Sequence, residues 1–354
     1  MTEHEKKPEL SIVMPFFNKP QLVVEMIESI IANTYTDWEL LAIDDGTAED
    51  DAAFIHQRIC DPRVQFIKRT EQPKGAQKCR NMGLDRAQGE YIIFFDSDDY
   101  ITPTCLQNRV EAIKANPDMD FMITPLGTYA DGKFTPLNLK KAFGYHAYKD
   151  DIAAFLRKTL PFVVVNNIYR TASLRERGVR WDESLKSLQD SDFNLQNLLK
   201  GAKYRYAECP PDYGYRIDNN PSSITSKLRS AQHFESHLIY QEKVFTTVQA
   251  LHGHKYDYSL YIGVLFYILM LALETDKARI IRLVDIVKSH CRIYWILLRL
   301  QMRLNYFLCA FFKPSIALKV ALLTYLVQRR LTESRRSKKI KEIYSRIDNQ
   351  QHYE

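Results

Sequence analysis

Short apolar runs alternate with longer segments of helical periodicity over the first 125 residues of the chain. The short runs are continuous rather than alternating, which is typical of strands buried on both faces of a sheet. Helices are predicted between and after these strands, at Gln21–Asn33, Ala76–Ala87 and Pro103–Ala115. The alternation predicts an α/β fold in which helices cover a mainly parallel sheet. The predicted strands are Leu10–Met14, Trp38–Ile43, Val64–Ile67, Tyr91–Phe95 and Met119–Thr124.

The pattern becomes less regular after residue 125 and changes again near residue 226. Strands are predicted at Phe162–Val165 and Tyr204–Ala207, and a helix is predicted near Asp192–Lys200. The rest of the chain consists of long helical segments rich in Leu, Ile, Tyr and Phe. We therefore predict two domains, an α/β domain over residues 1–226 and a helical domain over residues 227–354.

Positive charge is concentrated near the end of the sequence. The formal net charge is +6, but residues 288–341 alone hold 13 Lys and Arg against one acid, Glu333. Such a segment predicts an anionic partner, and no nucleic-acid-binding module accompanies it. The apolar segments 258–273, 306–312 and 316–327 are too short or too interrupted to span a bilayer, so bundle helices or interfacial amphipathic helices are predicted. We expect residues 288–341 to bind an anionic membrane surface, and a helical bundle with a solvated tail is the alternative.

The first residues and the cysteines bear on the location of the protein. The opening sequence, MTEHEKKPEL, lacks the apolar core of a secretory signal. The six cysteines show neither a C-x-x-C pair nor metal-ligand spacing, which favours reduced thiols. We therefore expect a cytoplasmic protein, peripheral on the inner face of the cytoplasmic membrane if its basic segment binds lipid.

Polar residues follow the predicted strands, where ligands bind in parallel sheets. The first strand ends in Pro15-Phe16-Phe17-Asn18, whose lack of glycine argues against a dinucleotide-binding turn and whose aromatic rings can stack on a base. After the second strand, a carboxylate of Asp44 or Asp45 can accept the imide proton of a uracil or a ribose hydroxyl. After the third, the segment Lys74–Asn81 brings cations to a helix N-terminus, which attracts anions.

The fourth strand ends in Asp96-Ser97-Asp98-Asp99, which puts three acids within four residues. Such crowding raises carboxyl pKa values unless a cation neutralises the charge. Carboxylate oxygens are suitable ligands for Mg²⁺ or Mn²⁺, which would in turn bridge the two phosphates of a nucleotide. The sequence therefore indicates a metal site, and an acidic turn that caps the next helix is the alternative.

Six segments, taken in order, resemble the successive motifs of glycosyltransferase family 2, whose members have the GT-A fold. The first four are SIVMPFFNK, ELLAIDDGT, KGAQKCRNMG and GEYIIFFDSDDY. The fifth is QDSDF at residues 189–193, and the sixth comprises YRID at 215–218 with SIT at 223–225. The resemblance extends over about residues 10–225, and the order of the six segments makes it far more specific than any one of them.

The resemblance implies an inverting transferase that moves a sugar from a nucleotide donor, most often UDP-linked, to a hydroxyl of a glycan or lipid-linked acceptor. Bacterial surface polysaccharide or lipooligosaccharide assembly would be its setting, with Mn²⁺ or Mg²⁺ as cofactor.

Inversion requires a carboxylate that deprotonates the acceptor, together with cations that stabilise the departing diphosphate. The resemblance implies that Asp190 is this base; Asp192 is the competing candidate, and its other role would be to cap a helix. It implies metal contacts from Asp96, Asp98 and Asp99, and donor contacts from Pro15, Phe17, Asn18, Asp44, Asp45, Lys78, Arg80 and Asp96.

The chain departs from the family pattern at two positions. Gln189 stands where the family often has an acid, and Asp218 stands where it usually has histidine, which puts a metal or diphosphate contact there in doubt. Two other functions remain open. A sugar-1-phosphate nucleotidyltransferase would normally show a G-x-G-T-x-[KR] run after the first strand, which is missing here. A non-catalytic nucleotide-sugar-binding module is the second, and the acids Asp98 and Asp190 argue against it.

Overall fold

The protein is described from a computed structural model over residues 7–136, 145, 148–217, 231–272 and 277–311. Strands and helices in these ranges are numbered in chain order. The strands are β1 (Leu10–Phe16), β2 (Trp38–Asp44), β3 (Val64–Lys68), β4 (Tyr91–Phe94), β5 (Tyr100–Ile101), β6 (Phe121–Ile123), β7 (Leu126–Ala130), β8 (Lys133–Pro136), β9 (Asn167–Arg170), β10 (Tyr204–Tyr206) and β11 (Tyr213–Arg216). The helices are α1 (Pro20–Ile31), α2 (Glu49–Arg58), α3 (Ala76–Arg86), α4 (Cys105–Lys114), α5 (Asp151–Leu156), α6 (Thr171–Glu176), α7 (Gln189–Leu199), α8 (Ala231–His252), α9 (Asp257–Ala272), α10 (Lys277–His290) and α11 (Arg292–Phe311).

The main sheet has seven strands in the order β10-β6-β9-β4-β1-β2-β3. All neighbouring strands run parallel except for β9, which is antiparallel to both β4 and β6. Every residue of the central strands β1, β2 and β4 is buried, as their continuous apolar runs predict. This arrangement confirms the predicted α/β fold with a mainly parallel sheet.

A second sheet, of four strands in the order β5-β11-β7-β8, was not anticipated from the sequence. Its strands are two to five residues long, too short to give a periodic signal. The strand predicted at Phe162–Val165 is wrong, because Val164–Asn166 forms a 3₁₀ helix. The Asn166 side chain explains the difference: its amide oxygen accepts from the Val163 N–H at 3.0 Å, and its Nδ2 donates to the Thr124 carbonyl at 2.6 Å. Such bonds to the backbone compete with a strand ladder.

Two hydrophobic cores cover the two faces of the main sheet. One face packs against α1, α2 and α4, through residues such as Met26, Ile55 and Val110. The other packs against α3, α5 and α7, and the same cluster continues into α8–α11. The C-terminal helices therefore share a core with the α/β part of the chain. The predicted boundary at residue 226 lies outside the described residues and stays a prediction.

Gly89 allows the chain to pass close to β1 just before β4 begins. A Cβ at this position would lie 2.5 Å from the Ser11 backbone nitrogen and 2.8 Å from the Leu10 carbonyl carbon. Its own N–H donates to the Ser11 hydroxyl at 2.8 Å, so the segment cannot shift without losing a buried hydrogen bond. The absence of a side chain at position 89 therefore allows the segment that leads into β4 to lie close to β1.

We predict that Gly89→Ala lowers the free energy of unfolding by about 1–3 kcal/mol, the usual cost of overpacking a tight site. Urea unfolding followed by circular dichroism measures the change. The matched control is Gln88→Ala at the neighbouring exposed position, where we expect a change within about 0.5 kcal/mol. Equal stability of the two variants would contradict the close approach.

Candidate active site

A cavity of about 390 Å³ opens beyond the carboxyl ends of β1, β2 and β4. The first residue of α7 and the strand β11 complete its wall. Ligands of parallel α/β sheets bind at this edge, and several residues predicted to bind donor or metal line the cavity. The lining comprises Pro15, Phe16, Phe17, Lys19, Asp45, Ala76, Arg80, Asp96, Ser97, Asp98, Asp99, Gln189 and Tyr215.

Phe17 presents an aromatic ring at the end of β1. The residue is 48% exposed, and the Lys74 ammonium lies 4.1 Å from the ring centroid. Asn18 and Lys19 follow in the left-handed backbone region, with φ of 54° and 52°. Asn18 joins this turn to the one after β2, since its N–H donates to the Thr47 hydroxyl at 3.0 Å. A left-handed conformation costs roughly 1–2 kcal/mol per non-glycine residue, and such strain is typical of functional sites.

The two acids after β2 have different environments. Asp44 is buried and does not line the cavity; its Oδ1 accepts from the N–H groups of Gly46 at 3.0 Å and Thr47 at 2.7 Å. Asp45 lines the cavity and pairs with the buried Arg69 guanidinium. Its second oxygen accepts from the Gly75 N–H at 2.7 Å. Asp44 therefore shapes the turn, and Asp45 is presented toward the cavity.

Arg80 projects from the first turns of α3 into the cavity and is held on several sides. It pairs with Asp96, and its Nη1 donates to Gln189 Oε1 at 3.3 Å. Its guanidinium carbon lies 4.4 Å from the centre of the Trp181 ring. Lys78, on the same helix, does not line the cavity, and its ammonium lies 3.9 Å from Glu183 Oε2. The structure thus brings Arg80 to the site and leaves Lys78 outside its wall.

The three acids after β4 also differ in accessibility. Asp98 is half-exposed and pairs with the Lys19 ammonium at 2.8 Å. Asp99 is buried; its two oxygens accept from the Tyr213 hydroxyl at 2.6 Å and the Arg216 N–H at 2.7 Å. Burial, followed by repulsion from Asp96 and Asp98, raises the pKa of Asp99 well above its usual value. Asp96 and Asp98 are therefore the acids open to a ligand, and Asp99 supports them from behind.

Asp190 and Asp192 lie on different sides of α7. Asp190 interacts electrostatically with Arg80 and Asp96. Desolvation raises the pKa of Asp190 to about 6, Arg80 opposes the shift, and Asp96 adds to it. Asp192 is buried against α8, where it pairs with Lys243 at 2.8 Å. Asp190 is therefore nearer to the cavity than Asp192, and the residue of this helix that lines the cavity is its neighbour Gln189.

Several contributors to the site were missed from the sequence. Arg69 directly follows β3, so the rule that ligands gather at strand ends could have identified it. Lys19 is the next residue after the aromatic segment that ends β1. Tyr215 belongs to the sixth family-like segment but was given no role. Asp218, from the same segment, lies outside the described residues.

The donor set fits a metal that binds together with a diphosphate. In the part of the chain that the structure describes, no cluster of three or more His, Cys, Asp or Glu side chains could hold a metal ion by itself. Mg²⁺, however, is usually bound by one or two carboxylates with substrate phosphates and water completing its shell. The cavity-lining carboxylates of Asp96 and Asp98 meet that requirement.

Comparisons with known proteins agree with this geometry. Residues 11–178 match the family model "Glycosyl transferase family 2". EpsJ of Bacillus subtilis, an uncharacterised glycosyltransferase, is 26% identical over 267 residues, which cover 72% of this chain and 75% of that protein. Poly(ribitol-phosphate) beta-N-acetylglucosaminyltransferase TarS of Staphylococcus aureus is 23% identical over 191 residues. That match covers 53% of this chain and 32% of TarS.

The structure of S. aureus TarS residues 1–349 with UDP-GlcNAc has the same fold. It matches with a TM-score of 0.66 and 17% identity, covering 90% of this chain and 91% of that one. The GT-A fold expected from the sequence is thereby confirmed. Several curated relatives are much longer proteins, and the chain spans only 15% of an uncharacterised protein of Sinorhizobium fredii. Over residues 11–178, the chain is therefore similar to glycosyltransferase family 2.

Proposed function

We propose that the protein is an inverting glycosyltransferase that moves a sugar from a UDP-linked donor to an acceptor hydroxyl. One observation carries the proposal: a carboxylate with a raised pKa, Asp190, lies beside a cavity that also contains an exposed aromatic ring, a fixed arginine and two accessible acids. Perturbed carboxyls in such clefts are candidates for acid–base chemistry. A nucleotidyltransferase or a non-catalytic binding module gives no reason for such a carboxylate.

Each part of the cavity suits one part of the donor. The exposed face of Phe17 would stack on the uracil, and Asp45 would accept its imide proton. Arg80 would meet the diphosphate, while Pro15 and Asn18 shape the rim. Asp44 would act through the turn that it holds, and Lys78 would reach the donor only after a side-chain rotation. UDP-GlcNAc is the donor we propose first, because the TarS structure of the same fold contains it.

The acceptor we propose is a hydroxyl of a glycan or lipid-linked glycan in bacterial surface polysaccharide assembly. The activity named for TarS, transfer to poly(ribitol-phosphate), supports this class of acceptor. Mn²⁺ or Mg²⁺ would be held by Asp96 and Asp98, with Asp99 behind them. Such an ion supplies positive charge to the diphosphate as it departs.

In the proposed reaction, Asp190 takes the proton of the acceptor hydroxyl as its oxygen attacks the anomeric carbon. The bond from that carbon to the diphosphate oxygen breaks on the opposite side, UDP leaves, and the configuration inverts. A pKa of about 6 leaves Asp190 largely ionised at neutral pH and makes it a stronger base than an ordinary aspartate. Arg80 stabilises the charge that develops on the leaving group.

A membrane surface is the second partner that we propose, through α11. The side chains Ile293, Ile296, Leu297 and Leu300 are exposed and recur at the spacing of one helical face, with Ile293 reaching 72% exposure. Arg292, Arg299 and Arg303 on the same helix are exposed too. An apolar stripe flanked by cations fits an anionic lipid surface. No described helix combines the length and the apolar character needed to cross a bilayer. Residues 312–341 of the predicted basic segment lie outside the described residues.

The first prediction separates chemistry from binding. Asp190→Asn should lower the kcat for UDP release from UDP-GlcNAc by about 10²-fold or more, the low end of general-base contributions. The Kd for UDP with Mn²⁺ should change little, because the base acts mainly in the transition state. Steady-state kinetics and isothermal titration calorimetry measure the two quantities.

The matched control is Asp192→Asn, two residues along the same helix. We expect it to retain most of the wild-type kcat, since Asp192 faces α8. Loss of turnover in Asp192→Asn with normal turnover in Asp190→Asn would exchange the two roles. Failure of the wild-type protein to bind any UDP-sugar would reject the proposed donor class.

The raised pKa of Asp190 makes a prediction about stability. A charged Asp190 disfavours the folded state at every pH above its folded pKa of about 6, and this penalty disappears below its reference value of 3.8. Asp190→Asn should therefore stabilise the protein near pH 7.5, and the gain should shrink as the pH falls from 6 to about 4. Burial also raises the pKa of Asp192, but its pair with Lys243 opposes that shift, so any stabilisation by Asp192→Asn near pH 7.5 should be smaller. Urea unfolding over this pH range tests both, and equal effects of the two substitutions would contradict the assignment.

The membrane proposal predicts binding to anionic but not neutral vesicles, weakening as salt rises. The double variant Ile293→Ser with Leu300→Ser should lose at least about tenfold in vesicle affinity, because each apolar side chain contributes roughly 1.5–3 kcal/mol when buried. Leu251→Ser, which alters an exposed leucine of α8, is the control and should bind as the wild type does. Vesicle co-sedimentation provides the measurement, and equal binding to both vesicle types would contradict the proposal.

A further inference from the structure

Lys19 combines three features that local physical chemistry disfavours. Its backbone lies in the left-handed region, with φ 52° and ψ 54°. It precedes Pro20, although a residue before proline prefers an extended conformation. It also brings a positive charge to the N-terminus of α1, which is the positive end of the helix dipole. Strain of this kind persists where the surrounding structure requires it, and it is concentrated at functional sites.

The result of this conformation is an ion pair inside the cavity. The Lys19 ammonium lies 2.8 Å from Asp98 Oδ2, and the two side chains remain 41% and 45% exposed. The other cavity acids have different partners. Asp45 is paired with Arg69 and Asp96 with Arg80, and both guanidinium groups are almost fully buried. Asp98 therefore has a solvated and flexible partner, and exposed pairs of this kind are weak enough to exchange.

We propose that Lys19 is a built-in counter-ion that occupies Asp98 until the donor arrives. The inference rests on the proposed function, since it assumes a diphosphate donor and a divalent metal at Asp98. A metal ion on Asp98 would lie close to the ammonium, and repulsion between the two cations would weaken metal binding to the empty site. The diphosphate brings enough negative charge to accept both cations.

The consequence is that metal and nucleotide bind as a pair. When the donor is bound, the ion pair between Lys19 and Asp98 breaks and the Lys19 ammonium moves to a phosphate oxygen of the donor. The flexible lysine side chain allows this movement. Each ligand then raises the affinity of the other by the same factor. Without Lys19, the acids of this cavity would attract metal in the absence of donor.

The test measures Mn²⁺ affinity of the full chain without nucleotide or acceptor, from the free Mn²⁺ signal in electron paramagnetic resonance. We expect Lys19→Met to bind Mn²⁺ about two- to fivefold more tightly than the wild type, the range that a half-exposed ion pair supports. UDP should raise Mn²⁺ affinity less in Lys19→Met than in the wild type. Lys19→Arg keeps the charge and should behave as the wild type does.

Lys203→Met is the control for net charge. Lys203 is exposed and precedes β10, at the edge of the sheet opposite to the cavity, so its removal should leave Mn²⁺ affinity unchanged. A second variant identifies the site, because adding Asp98→Asn to Lys19→Met should abolish the gain in affinity. Thermal unfolding checks that each variant is folded.

Two kinds of outcome would overturn the proposal. Unchanged or weaker Mn²⁺ binding by Lys19→Met means that Lys19 does not compete with metal. A gain that survives Asp98→Asn, or that appears equally in Lys203→Met, means that the effect is one of general charge. If Lys19→Met gains Mn²⁺ affinity through Asp98 but the protein binds no UDP-sugar, the counter-ion role of Lys19 is supported and the proposed function is not. Failure of the inference can therefore be distinguished from failure of the proposed function.

Discussion

Repulsion among carboxylates is the constraint on which the site depends. The parallel strands β2 and β4 bring Asp45, Asp96, Asp98 and Asp99 to one edge of the sheet. Like charges at such short range destabilise one another unless each has its own partner. The chain provides a different partner for each acid, and the partners come from elements far apart in sequence. This need for compensation explains why β11 and the turns after β1 and β3 converge at the same edge.

The sequence predicted the framework of the fold because its central strands are buried on both faces. Continuous apolar runs such as those at β1 and β2 give a strong signal, and the observed strands end within two residues of the predicted ones. The second sheet gave no such signal. Its longest strand, β7, has five residues, and its β11 includes the exposed Tyr215. These strands owe their pairing to tertiary contacts, which local pattern cannot show.

The sequence predicted where the candidate site lies, but not which side chain of each candidate pair faces it. The strand-end rule and the family resemblance together identified Phe17, Arg80 and the acids after β4. They could not separate Asp44 from Asp45, because adjacent residues point in opposite directions and only the fold decides which one meets the cavity. For the two acids of α7, the resemblance favoured Asp190 over Asp192, and only the fold shows that Asp192 packs against α8. Lys19 was not identified, since neither its strained backbone nor its contact with Asp98 is visible in the order of residues.

Helix α7 connects the C-terminal helices to the residue proposed as the catalytic base. One side of this helix carries Asp190, and the other is tied to α8 by the pair between Asp192 and Lys243. Lys243 also binds Asp182, in the segment that leads into α7. A fragment cut at the predicted boundary would therefore lose the contacts that hold α7, which carries the proposed base Asp190, and would expose the apolar side of this helix. Chimeras that exchange the C-terminal helices between relatives should therefore preserve the pair between Asp192 and Lys243. Without this pair, the exchanged helices would shift α7 and with it Asp190, although no hydrogen bond or ion pair among the described residues joins them directly to Asp190.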